Sequence, residues 1–193
     1  MKKVLVGFLV SCMMLSSTAV FAEETESSVT ELNWEDIEAM NEMADEDIIS
    51  QGSFVVFDEI DCMMWVPDAL QEVELTDEDV EAGYIGYFQA EDESATVAVM
   101  YVDADGMDYD GYKEYLEGSE DVAEVEEMVV NGNPCISYDM PDNDYTCLTF
   151  PTQAGRFLEF TFAPMSDENF QGIVAIMGAS IQPEDTSLET EAE

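Results

Sequence analysis

Two apolar runs divided by four polar residues constrain this chain more than any other feature. Residues 84–90 (YIGYFQA) and 95–102 (ATVAVMYV) flank the tetrapeptide EDES at 91–94. β-Branched and aromatic residues at this density, broken by so short a polar stretch, predict a β-hairpin. Apolar side chains fall on both faces of each strand. Neither face is therefore expected to meet water, and the hairpin reads as the centre of a sheet covered on both sides.

The flanking segments supply that cover. Strands are predicted at 53–60, 62–67, 122–130, 134–140, 145–150 and 155–164, between punctuation such as Asn131-Gly132-Asn133 and the PDND turn at 141–144. Helices are predicted at 32–44, 109–118 and 166–182. The first has Asn33 as N-cap, Asp36 three residues on, and a stripe of Trp34, Ile37 and Ala44. The last has Ser166 as cap, with Phe170, Ile173, Val174, Met177 and Ile181 at helical spacing. Thr76 and Asp79 are spaced as a capping box, so 75–83 reads as a helical turn stopped at Gly83. No internal repeat is present. This order of elements gives an α+β fold, an antiparallel sheet covered by helices.

The ends differ in composition. Residues 1–22 read as a signal peptide, with Lys2 and Lys3 before an apolar run and Val20-Phe21-Ala22 at the cleavage point. LVSC at 9–12 also fits a lipoprotein site with Cys12 acylated, but the chain stays apolar beyond it, which favours cleavage after Ala22. Residues 23–31 read as a polar linker, 32–50 as an N-terminal helix and its connection, 51–182 as the sandwich domain, and 183–193 as an acidic disordered tail. The expected location is secreted, extracellular or at the cell surface. No segment beyond residue 22 has the roughly 20 uncharged apolar residues of a transmembrane helix.

The chain carries 46 acids, four basic residues and a formal net charge of −42. Beyond residue 22 only Lys113 and Arg156 stand against all 46 acids, a net charge of −44. No basic surface can form to neutralise phosphates, which excludes nucleic acid as a partner and disfavours anionic lipid. Cations, basic proteins and neutral ligands are the partners such a surface admits. Histidine is absent. Ser-His-Asp and Cys-His catalysis and His-ligated zinc are thereby excluded.

Asp103, Asp105, Asp108 and Asp110 lie within VDADGMDYDG, residues 102–111. Neither register of an EF-hand calcium loop fits. With Gly111 at the glycine position, Gly106 and Lys113 fall where a ligand and an apolar residue belong; with Asp103 first, Met107 and Asp108 fall where a ligand and the glycine belong. Two readings stay open: an irregular calcium site, the one cofactor this chain suggests, or a turn at Asp105-Gly106 followed by a helix capped by Asp108.

Cys135 and Cys147 are the candidate disulfide. A five-residue loop from Asp139 to Asn143 would set Tyr138 opposite Asp144 and Cys135 opposite Cys147, at the ~4.5–5.5 Å cross-strand spacing that a disulfide spans. The alternative is two buried thiols. Cys62, left over, reads as a small core residue. Trp65, Tyr84, Tyr87, Tyr101 and Tyr112 are candidates for a ligand groove, or else core. Arg156 is expected to pair with a neighbouring acid.

Several features recur together. Trp65-Val66-Pro67 ends an early strand, the 84–102 hairpin follows, and a helix carries Tyr112, Tyr115 and Leu116. Asn131-Gly132 then opens a strand meander, and APMSDE leads into a helix ending at Ser180-Ile181. Over roughly 52–182 this order resembles the PsbP-like α/β sandwich of small exported bacterial proteins. The resemblance implies a binding or assembly-accessory module rather than an enzyme. Photosynthetic members work beside a calcium-containing centre, with metal contacts that involve histidine; this chain has none, so no functional residue carries over.

The function expected is an exported, non-enzymatic module that binds a protein, peptide or glycan through one face of its sheet. The alternatives are a calcium- or other cation-binding secreted protein and, third, a hydrolase using a pair of carboxylates.

Overall fold

The computed structural model describes residues 29–44, 47–57, 61–152 and 156–184. The expected signal peptide, Cys12, linker residues 23–28 and tail residues 185–193 lie outside these. In chain order the elements are β1 (Thr30–Leu32), α1 (Trp34–Glu42), β2 (Gly52–Phe57), β3 (Cys62–Pro67), β4 (Leu70–Glu72), α2 (Asp77–Glu81), β5 (Tyr84–Ala90) and β6 (Thr96–Val102). They continue with α3 (Tyr109–Glu117), β7 (Ala123–Val130), β8 (Asn133–Met140), β9 (Tyr145–Pro151), β10 (Phe157–Ala163), α4 (Glu168–Ala179) and β11 (Gln182–Pro183).

An eight-stranded sheet runs β1-β7-β8-β9-β10-β6-β5-β4, and a three-stranded sheet runs β11-β3-β2. All ladders are antiparallel except β1–β7. The α+β class and the sandwich are as expected, with two differences. The end of the expected linker is strand β1, paired with β7. Part of the cover is the second sheet rather than helix.

The hairpin at 84–102 sits well inside the large sheet, with β4 beyond β5 and β10 beside β6. Its inner face presents Phe88, Val97 and Val99, buried with Leu148, Phe160 and Phe162 from the neighbouring strands. Phe57 of β2, Trp65 of β3, Trp34 and Ile37 of α1, and Val174, Ile176 and Met177 of α4 close this core. Each such side chain contributes about 1.5–3 kcal/mol when fully buried. The outer face has a smaller core, in which Tyr112 and Leu116 of α3 cover Ile136, Tyr138, Cys147 and Phe157. The Tyr112 ring stacks on Phe157 with centroids 4.4 Å apart. α3 is only nine residues long, and of the hairpin only Val102 packs against the core it forms. Tyr84, Tyr87, Ala98 and Met100 there stay half-buried, so the expectation of two covered faces holds only for the inner one.

The β8–β9 turn corrects the expected register. A short 3-10 turn, Pro141–Asn143, is followed by Asp144 in the left-handed region, and Met140 pairs with Tyr145. Tyr138 is therefore opposite Cys147, not Asp144. The shift is three residues, an odd number, and side chains alternate faces along a strand. Cys135 consequently points into the inner core and Cys147 into the outer one. All three described cysteines are free, and the sheet itself separates the expected pair.

Two helix starts also differ from the sequence reading. Asp167, not Ser166, caps α4 by accepting from the Asn169 and Phe170 N–H groups. Ser166 instead donates its backbone N–H and hydroxyl to the Asp144 carboxylate, at 2.8 and 2.6 Å. Asn33 occupies the cap position of α1 without a side-chain cap bond. The acceptor comes from across the fold: Asn131 Oδ1 takes the Trp34 N–H at 2.8 Å. The capping box of Thr76 and Asp79 forms as its spacing predicts.

Candidate functional site

The acidic stretch does not assemble. Asp103 accepts the N–H of Asp105, whose φ of 53° begins the turn completed by Gly106 at 78°. Asp108 caps α3 through the Gly111 N–H at 2.9 Å, and Asp110 stands in the first helical turn. All four carboxylates are exposed. Among the described residues no three metal-ligating side chains converge here or elsewhere.

The five aromatic groove candidates are scattered. Trp65, 1% exposed, lies in the inner core, and Tyr112, 4% exposed, lies under α3. Tyr84 and Tyr87 belong to the outer face of the hairpin, opposite Met100 and Ala98. Tyr101 faces the other way, because it pairs with Leu158 of the inner core. The groove as expected does not exist.

Tyr101 instead lines a cavity of about 560 Å³ between the two sheets. The β-ladders build its floor. Leu158 on β10 pairs with Tyr101 on β6 and with Phe150 on β9, which sets three inward side chains in a row across three strands. Ile181 covers the row from the α4–β11 connection, and Asp61 and Cys62 close one side where β3 begins. β11 holds that wall in place by pairing Gln182 with Met63 and Pro183 with Cys62. Pro134, Pro151 and Thr152 complete the rim.

The only arginine lies beside this rim. The Arg156 guanidinium sits 5.0 Å from the centre of the Tyr101 ring, and its carbonyl accepts from the Thr152 N–H and hydroxyl. The expected pairing with an acid is not found: among the described residues the only ion pairs are those of Lys113 with Glu117 and Glu127. An aromatic face attracts a guanidinium without neutralising it. No described residue accepts from its N–H donors.

Few groups here could transfer a proton or attack a bond near neutral pH. Burial pushes the Cys62 thiol up to about 11, leaving it protonated. Cys135 and Cys147, both pushed up to about 12 by burial, lie in the two cores.

A second polar centre lies on the outer face. Glu159, 8% exposed, accepts from the Tyr138 hydroxyl at 2.5 Å and from Thr149 at 3.2 Å through Oε2, and from Thr161 at 3.4 Å through Oε1. Burial foremost, then the Glu159 charge, holds the Tyr138 phenol far above its usual range. Its partners are hydroxyls rather than a second carboxylate. The sequence signal was a single acid inside the apolar strand FLEFTF.

No family model matches the chain, and no curated protein matches it. Among solved structures it is similar to the solution structure of cyanobacterial PsbP (CyanoP) from Synechocystis sp. PCC 6803, with 10% identity and a TM-score of 0.49 over 69% of this chain and 92% of that one. That is the family which the order of elements resembles.

Proposed function

We propose that the chain is a non-enzymatic binding module that works outside the cytoplasm and holds a neutral amphipathic ligand in the cavity between its sheets. The export part of this reading rests on the leader-like residues 1–22. The binding part rests on one observation: the Tyr101-Leu158-Phe150 row under a cavity of about 560 Å³, a volume typical of small-molecule sites. Walls of Leu, Ile, Phe and Pro suit an apolar body better than a sugar. The net charge of −42 disfavours an anion at long range. Arg156 and Thr152 at one end suit a carbonyl or hydroxyl. The ligand is thus a small molecule with one polar end, or an exposed apolar side chain of a peptide.

Binding rather than turnover is the reading because the cavity wall offers a carboxylate, a phenol and a protonated thiol, with no imidazole anywhere in the chain. The test is a fragment screen by protein-observed NMR, using aromatic acids beside their neutral amides. Amides should perturb Tyr101, Phe150 and Ile181 and lose binding in Gln182→Trp, a rim substitution that fills the opening. Shifts elsewhere, or equal binding by a stably folded Gln182→Trp, would remove the cavity from consideration.

A further inference from the structure

β2 is the outer strand of the small sheet. It pairs along its whole length, Gly52–Phe57, with β3 on one side, in a continuous register without a bulge. Among the described residues no backbone hydrogen bond reaches its other side. In an antiparallel ladder alternate residues aim N–H and C=O away from the partner strand. Among the described residues, the outer edge of β2 therefore presents a row of donors and acceptors without a partner.

Proteins blunt such edges with charge, proline, bulges or brevity. β2 uses none of these. Its sequence, GSFVVF, has no charged residue in a chain with 46 acids, and Phe54 and Val56 are 36% and 40% exposed. The other terminal strands are short: β1 and β4 have three residues each and β11 has two.

Acids stand at both ends of the β2–β3 pair. Asp68 donates its N–H to the Gln51 carbonyl next to Gly52, and the Asp47 carbonyl accepts from the Gln51 side chain at the same end. Asp61 stands at the far end, before Cys62, the partner of Phe57. A second copy of the chain would bring −42 to a surface of −42, and the chain's own residues 185–193 carry the same sign.

We propose that β2 is a docking edge for an extended segment of a basic partner protein, joined by strand addition. The segment supplies main-chain hydrogen bonds along about six residues, β-branched or aromatic side chains at alternate positions, and Lys or Arg at both ends. β2 itself contributes no residue to the cavity, although Asp61 borders both.

The probe is a labelled peptide of alternating Val and Thr flanked by paired lysines, followed by fluorescence anisotropy and by hydrogen exchange of the protein. Binding that weakens with salt, with new protection confined to the amides of 52–57, is the expected result. Val56→Lys should weaken it about tenfold or more while leaving the melting curve in place, since a charge on an edge strand opposes pairing. A peptide with the same lysines but alternating prolines cannot add as a strand. Equal binding by that peptide would reduce the effect to bulk charge and overturn the proposal. So would protection, in peptide-free protein, of the alternate β2 amides that point away from β3, which would give the edge to a second copy if sedimentation shows a dimer, or to residues 1–28 if it shows a monomer.

Discussion

The side-chain oxygen of Asn131 caps the backbone of Trp34 at 2.8 Å, across 97 residues of chain. The amide nitrogen of the same side chain donates to the carbonyls of Ala179 and Ile181, both at 2.8 Å. One side chain at the β7–β8 turn thus joins the start of α1 to the end of α4. Asn131 also holds a φ of 47°, which asparagine tolerates better than most residues. Asn131→Ala should cost about 2–4 kcal/mol, because three partly buried backbone groups lose their partner. Asn131→Gly keeps the backbone conformation and should recover only a part. Asn131→Asp should be no better than alanine, since it sets a carboxylate against two carbonyls. Urea unfolding followed by the fluorescence of Trp34 and Trp65 measures all three.

Stability should fall above about pH 9. Burial raises the folded thiols of Cys62 to about 11 and of Cys135 and Cys147 to about 12, from 9.0. A raised folded value means the folded chain keeps protons that the unfolded chain releases. The contribution is whole below pH 9 and is lost as pH rises through the folded values, at about 1.4 kcal/mol per pH unit for each thiol. Tyr112 and Tyr138, also raised by burial, add to the loss above about pH 10. Urea unfolding at pH 7–10 checks this, and the triple Cys→Ala variant should have the shallower slope between 9 and 10.

Oxidation should leave Cys135 and Cys147 as thiols. Alkylation in denaturant after air exposure should modify both, and a reducing agent should not move the melting temperature. The sheet lies between the two sulfurs, so no rotamer change brings them together.

Salt should raise the melting temperature. At a net charge of −42, repulsion acts over a Debye length of ~30 Å at 0.01 M but ~8 Å at physiological strength. A scan from 10 to 300 mM sodium chloride shows the rise. Magnesium and calcium at equal concentration should act equally, because Asp103 and Asp108 are already committed to backbone N–H groups.

What the sequence made legible was local. The Thr76–Asp79 box, the Asp108 cap and the hairpin at 84–102 rest on residues a few positions apart, and all three formed. Misread features depended on the backbone conformation of one turn residue or on partners far along the chain. The β8–β9 register turned on Asp144 adopting the left-handed region, and one shift of three moved Cys147 to the opposite face. Asn33 looked sufficient as a cap, while Asn131, visible only as part of a turn signal, supplied the bond. The groove failed for the same reason: alternation tells which residues share a face of one strand, but not which strand lies beside it. Tyr84 and Tyr101 both lie on the hairpin, and the register shift between Tyr84 and Gly86 is where β5 departs from strict alternation.

The floor under the cavity has a length set by backbone geometry. Tyr101, Leu158 and Phe150 sit on three adjacent strands, and adjacent strands lie about 4.8 Å apart. The row therefore measures out about 10 Å, a dimension that hydrogen-bonded ladders hold far more stiffly than loops would. A rigid body of two fused rings would match that length, and a longer one would overhang it.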